Sequence, residues 1–289
     1  MWIGIPSSHM QWVPCPSIDS TITRQRYIER IQFQNGGGDV ARSPQYQLEY
    51  NLNMTGLANE LEGIDAINHF ASGFYGDGYI YVAHPALFES NMLGAAWSSP
   101  GLIEGGWANI YPTTTPTFSN TASNSYNQPL RSATWSVTSA INTPIKKFTI
   151  PIPEGYTLNL GASGSRTGTA VVQVRTIAVD NATFGTSNLT LLSPTSSTRM
   201  NATFSGASYC AVDVYITRTS TATSTITLTS MMAQLYKTGT TPTLPTLHQM
   251  GNGASGMVFA DDAIVETYSY MYPPRKGIST TLVEVEEWR

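Results

Sequence analysis

The stretch Ser208–Arg218, SYCAVDVYITR, decides the fold. Cys210, Val212, Val214 and Ile216 fall on one side of an extended chain, and Tyr209, Ala211, Asp213 and Tyr215 on the other. That two-residue period is the mark of a strand with one buried face. The same alternation recurs outward in KKFTIPIPEG (146–155), YTLNLGA (156–162), TAVVQVRTIAV (169–179) and STITLTSMM (224–232). In 170–177, Ala170, Val172 and Val174 take one side and Gln173, Arg175 and Ile177 the other. Polar clusters at 161–168, 183–188 and 193–198 (GASGSRTG, TFGTSN and SPTSST) read as the turns between strands. Strands at this spacing predict a β-sandwich, most simply a jelly roll. Trp135, on the same side of its strand as Val137, is expected in the core.

Charge marks the edges of this region. Residues 1–104 carry fourteen charged side chains, whereas 105–145 carry Arg131 alone. The run NIYPTTTPTFSNTASNSYNQPL (109–130) suits a linker or the first loops of a second domain, with Trp107 and Tyr111 as a loop anchor or binding edge. Charge returns in EVEEWR (284–289). The expectation is one discontinuous domain, 1–104 and 255–289, with a second, 105–254, inserted in it.

In the outer domain, YIERIQF (27–33) suits a strand, and Asn35-Gly36-Gly37-Gly38 supplies a tight turn. In QYQLEYNLN (45–53), Tyr46, Leu48, Tyr50 and Leu52 alternate with polar residues, predicting a half-buried strand. Residues 59–71 fit a short helix, with Leu61, Ile64, Ile67 and Phe70 at spacings of three and acidic residues early. YIYVA (79–83) reads as a strand. Two more are expected in 256–270 and 278–288, the latter an edge strand with Glu284 and Glu286 wet and Val283 and Val285 dry.

Charged residues are 12 % of the chain, about half the usual share. Polar surface must therefore come from Ser, Thr, Asn, Gln and Gly, a profile of β-rich virion or extracellular proteins. The net charge is −4, and the adjacent basic pairs are Lys146–Lys147 and Arg275–Lys276. That is poor material for a nucleic-acid surface. No apolar run approaches a membrane span, and the start lacks signal-peptide character, so neither membrane insertion nor export is expected. Cys15 and Cys210 are expected as free thiols. His9, His69, His84 and His248 stand apart, so no metal site and no cofactor are expected.

Motifs for catalysis are lacking. Gly73-x-x-Gly76-x-Gly78 matches neither a phosphate loop nor a dinucleotide turn, and turn glycines are the plain reading. Asp261, Asp262 and Glu266 read as a solvated turn before they read as a glycosidase pair, and Glu284, Glu286 and Glu287 likewise. Neither a Gly-x-Ser-x-Gly elbow nor a His-Glu-x-x-His motif occurs. An enzyme is not expected. Tyr209 and Tyr215, with Asp213, Gln173 and Arg175 nearby, form the candidate site. Aromatic faces stack on sugar rings, and planar polar groups bond their hydroxyls. The bland alternative is cross-strand packing of outward tyrosines.

Four stretches carry a resemblance. They are Met10–Pro14 (MQWVP), FQNGGGDVARS (33–43), FASGFYGDGYIYVAHPALFESNML (70–93) with Trp97 and Pro100, and the closing SGMVFADDAIVETY (255–268) with GISTTLVEVEEW (277–288). In this order they resemble minor tail proteins, of distal-tail type, from long-tailed actinobacteriophages. The third stretch usually carries Asp before the proline. Here it is His84-Pro85, so no catalytic role is expected at that position. The resemblance covers about 1–104 and 255–289 and does not reach the insert. It implies a β-rich belt domain that forms a homohexameric ring at the end of the tail tube. It also implies an added β-sandwich of galectin or carbohydrate-binding type. The partners implied are further copies of the chain, the tail tube protein and a neighbouring tail-tip or tail-hub protein; host-surface glycan is a candidate through the sandwich. The expected location is the tail tip of the virion. Two rivals stand beside this reading: a scaffold that binds no glycan, and a cell-wall glycoside hydrolase.

Overall fold

The computed structural model describes residues 1–5, 9–13, 20–25, 28–34, 36–42, 47–57, 61–88, 90–101, 116–120, 131–137, 141–153, 155–169, 171–178, 183–189, 193–203, 210–219, 224–240, 251, 253, 256–260, 265–269 and 275–285. In several strands, among them most of 173–219, residues are placed by backbone and register. The fold is mainly β, in antiparallel sheets. The chain divides into two compact units, Met1–Ile80 with Gly256–Glu286, and Tyr81–Ser255 with Glu287–Arg289.

In the first unit, β1 (Trp2–Ile5) pairs with β2 (His9–Trp12). Then come β3 (Thr21–Gln25), β4 (Ile28–Gln32), β5 (Gly38–Arg42), β6 (Gln47–Leu57) and helix α1 (Leu61–Ala71). The alternation of β6 is as the sequence predicts. Leu48, Tyr50, Leu52 and Met54 are buried, and Gln47 is exposed. On α1, Ile64, Ile67 and Phe70 are buried, and the helix packs on β6 and β19. β4 and β5 form a two-stranded hairpin closed through Gly36, whose φ of +85° favours a residue without Cβ.

The second unit opens with β7 (Tyr81–Ala83), a 3-10 turn (Pro85–Leu87) and α2 (Ala95–Ser98). It continues through β8 (Thr117–Asn120), β9 (Arg131–Val137), β10 (Ile141–Ile152), β11 (Tyr156–Thr167), β12 (Val171–Ala178), β13 (Thr183–Leu189), β14 (Ser193–Thr203), β15 (Cys210–Thr219) and β16 (Ser224–Lys237). The chain then returns to the first unit as β17 (Met257–Phe259), β18 (Val265–Ser269) and β19 (Arg275–Glu284). There β19 pairs with β6, β17 and β18, in a sheet ordered β17-β19-β6-β3.

The pairings of the second unit are nested. β9 pairs with β16, β10 with β15, β11 with β14, and β12 with β13. Four strands run out and the next four return along them, so the region is one long antiparallel hairpin rolled up. The added pairs β11–β16 and β12–β15 produce two sheets, β14-β11-β16-β9-β8 and β10-β15-β12-β13. This is the jelly-roll connection. Leu158, Leu160, Ala162, Ile226, Leu228, Leu235 and Trp135 are buried on the first sheet, and Ile150, Ile152 and Val172 on the second.

Two expectations are corrected. The polar clusters are strands: GASGSRT ends β11, TFGTSN lies in β13 and SPTSST in β14. Thr is a β-former, and Ser and Gly are carried by the ladders. Gly164 sits at a β-bulge, where an added Cβ would collide with the Thr227 carbonyl. The first unit runs to Ile80 and the second begins at Tyr81. Phe88 and Met92 extend the β16 ladder, with Met92 N–H donating to the Ala233 carbonyl at 2.8 Å and Leu235 N–H to that of Phe88 at 2.8 Å. Buried Asn91 fixes this join: its Nδ2 donates to Met231 O at 3.0 Å and its Oδ1 accepts from Ala233 N at 3.0 Å. Finally, β19 is not an edge strand, since it has partners on both sides. Its buried row is Ile278, Thr280 and Leu282, so Glu284 shares a face with Leu282 and accepts from Leu48 N at 3.0 Å, while Val283 is half-buried.

Candidate functional site

The sheet β10-β15-β12-β13 brings most of the expected glycan-site residues together. Tyr215 pairs with Arg175 on one side and with Lys147 on the other, so one row across the sheet reads Lys147, Tyr215, Arg175, Thr186. Two residues along, Thr149, Asp213 and Ile177 make the next row on that face. Two residues the other way, Thr217, Gln173 and Asn188 make another. Register thus sets these positions on one face of the sheet. The intervening rows hold Phe148, Val214 and Thr176, and Ile150, Val212 and Ala178, in keeping with the burial of Ile150. Tyr209 lies outside the described residues. Lys147 was not among the expected site residues. Its adjacency to Lys146 was visible, but the strand it would lie beside was not.

The other candidates separate. Cys210 opens β15 opposite Ile152, and Cys15, His248, Trp107, Tyr111, Asp261, Asp262, Glu286 and Glu287 lie outside the described residues. His9 stacks on Tyr75 with ring centroids 4.4 Å apart. His69 tilts against Phe74 at 5.1 Å. His84 caps the 3-10 turn, its Nδ1 accepting from Ala86 N at 3.2 Å, and burial lowers its pKa, which suits this acceptor role. Among the described residues, no group of three His, Cys, Asp or Glu comes together that could hold a metal ion. Among them, too, no helix is long and apolar enough to cross a membrane, which says nothing of β-barrels.

Glu266 belongs to a structural knot. Its carboxylate accepts from the Tyr268 hydroxyl, from Lys276 Nζ at 3.1 Å and from Asn68 Nδ2. Lys276, nearly buried, also pairs with Asp65. This ties α1 to the β18–β19 hairpin. The Tyr268 hydrogen bond first, then Lys276, hold the Glu266 carboxyl below its usual range. Tyr50 is the opposite case. Its hydroxyl is buried with no hydrogen-bond partner among the described residues, and burial, reinforced by Glu284, pushes its pKa up to about 12.

No protein-family model and no curated protein sequence matches the chain. Among solved structures, it is similar to the enzymatically active domain of bacteriophage CBA120 tailspike protein 4, with a TM-score of 0.34 and 16 % identity over 50 % of this chain. The chain spans 21 % of that tailspike chain's length. It is also similar to infectious bursal disease virus structures. For the Gt strain the TM-score is 0.25 and the identity 11 %, covering 96 % of this chain and 84 % of that one. For the VP2 subviral particle the values are 0.27 and 10 %, with coverage of 96 % and 84 %. These neighbours are viral proteins, but likenesses of this strength carry no argument about what the chain does.

Proposed function

We propose that the chain is a structural protein of a phage tail tip, not an enzyme. In this reading the first unit closes a homohexameric ring and meets the tail tube and a neighbouring tip protein, and the jelly roll serves adsorption to host-surface glycan. The observation that carries the assembly part is where apolar surface lies. Among residues whose side chains are described, every exposed large hydrophobic belongs to the first unit: Trp12, Ile22, Ile31, Phe33, Val40, Phe74, Val258, Val265 and Tyr268. The β4–β5 hairpin supplies three of them, with Ile31 42 %, Phe33 49 % and Val40 43 % exposed. A two-stranded hairpin is marginal in water without something packed on it. A neighbouring copy offers that cover, and a contact between unlike patches closes into a ring when its rotation permits. Repeated copies then turn weak sugar contacts into avidity.

Native mass and negative-stain images of the purified chain test the reading. Six-fold rings are expected. A stable trimer would point to a fibre or spike and overturn the ring. Release of reducing ends from purified wall polysaccharide would instead favour the hydrolase. An assembled ring that retains no host-wall glycan would leave the pure scaffold standing.

A further inference from the structure

The two units carry opposite charge. Met1–Ile80 with Gly256–Glu286 holds six basic and thirteen acidic residues, a net of −7, whereas the jelly-roll unit holds nine basic and six acidic, a net of +3. The overall −4 therefore hides a basic unit. Within it, the strands of the β10-β15-β12-β13 sheet hold Lys146, Lys147, Arg175 and Arg218 against one acidic residue, Asp213. Register then concentrates two of these cations around an aromatic residue, because Lys147 and Arg175 flank Tyr215 in one row. Neighbouring strands lie about 4.8 Å apart, so the two basic positions are about 10 Å apart with the tyrosine position between them.

This juxtaposition selects among sugars. A neutral glycan needs an aromatic face and planar hydrogen-bonding groups, and Tyr215 with Gln173 and Asn188 would serve it. Two cations beside the stacking residue can donate to the hydroxyls of a neutral ring, but their charge has no counterpart there. For a saccharide bearing an anionic group they supply charge-assisted hydrogen bonds, and a guanidinium matches carboxylate or phosphate oxygens in pairs. From the row Lys147–Tyr215–Arg175 on a basic jelly roll, we infer that the surface takes an anionic polysaccharide, its charge on a carboxylate or a phosphate. The inference rests on the glycan-binding reading of this same sheet and adds the ligand's charge to it. Asp213, one row away, supplies an acceptor for hydroxyls.

The test uses the full-length protein on immobilised polygalacturonate, on a poly(glycerol phosphate) polymer and on neutral galactan. Retention on one or both acidic polymers, roughly tenfold or more over galactan, is expected, and which polymer wins identifies the anion. Retention should fall as salt is raised, because exposed charge is screened. The variant Lys147→Gln/Arg175→Gln should drop to the galactan level with an unchanged melting temperature, and Lys147→Arg should keep binding. Equal retention on galactan, or acidic binding that survives the double substitution, overturns the anionic assignment and leaves a glycan site standing. Retention on none of the three, nor on intact host wall, overturns the glycan reading and this inference with it.

Discussion

The two units solve the problem of surface in opposite ways. The jelly roll packs its apolar residues inward and has no exposed large hydrophobic among its described side chains, while its chain carries a positive net charge. The unit made from the chain ends is acidic and leaves Ile31, Phe33, Phe74 and Val265 in water. Phe74 is the extreme case, 72 % exposed. Apolar exposure is costly unless something covers it, whereas a polar, charged sheet face is stable in water as it stands. On the proposed reading, the difference places assembly on one unit and recognition on the other.

The comparison can be broken or sharpened by substitutions confined to one unit. The largest effect is expected inside the jelly roll. Trp135 is 1 % exposed and pairs with Ile226 at the centre of its sheet. Trp135→Ala should cost about 3–5 kcal/mol in denaturant unfolding of that unit, from lost burial and the cavity left behind. Rings that survive under conditions where the variant jelly roll is unfolded would sharpen the division of labour, and their loss would break it.

In the acidic unit the telling group is Tyr50. Its folded pKa of about 12 lies above the ordinary value of 10. Burial penalises the phenolate, so stability is undiminished below pH 10 and falls as pH rises through about 12, by roughly 2–3 kcal/mol in all. Tyr50→Phe should remove that alkaline sensitivity in melts at rising pH. At neutral pH it should be neutral or stabilising by about 1 kcal/mol, since the lost hydroxyl has no partner among the described residues to leave stranded. Clear destabilisation at pH 7 would show that the hydroxyl is bonded after all.

The smallest effect is expected at Glu266. Its carboxyl is held low by Tyr268 and Lys276, so its contribution is present above the unfolded carboxylate pKa and lost as pH falls through the folded one. Glu266→Gln should flatten the acid limb of the melting-temperature profile of this unit while leaving the jelly roll's unchanged. An identical acid limb in both proteins would remove the knot from the account.

Much of this architecture was legible in the chain. Alternation in β6 placed Leu48, Tyr50 and Leu52 on its buried face, and the spacing of Ile64, Ile67 and Phe70 located α1. The Ser- and Thr-rich strands β13 and β14 were not legible, because their few apolar residues show no sustained two-residue alternation and their partners hold them extended. Glu284 was misplaced for a related reason: a strand's two flanks are set by pairing, which leaves no trace in its own residues. The site divides along the same line. Tyr215, Asp213, Gln173 and Arg175 share faces that periodicity reveals, whereas Lys147 joins them only through the β10–β15 register.

The central claim is that copies of the chain assemble through apolar surface on the acidic unit, with the β4–β5 hairpin at its heart. Native mass spectrometry of the wild type beside Ile31→Lys/Phe33→Lys tests it most directly. A hexamer is expected for the wild type and a monomer of unchanged melting temperature for the variant. A variant that assembles as the wild type does, or a wild type that stays monomeric even with the proposed tail tube partner, would contradict it.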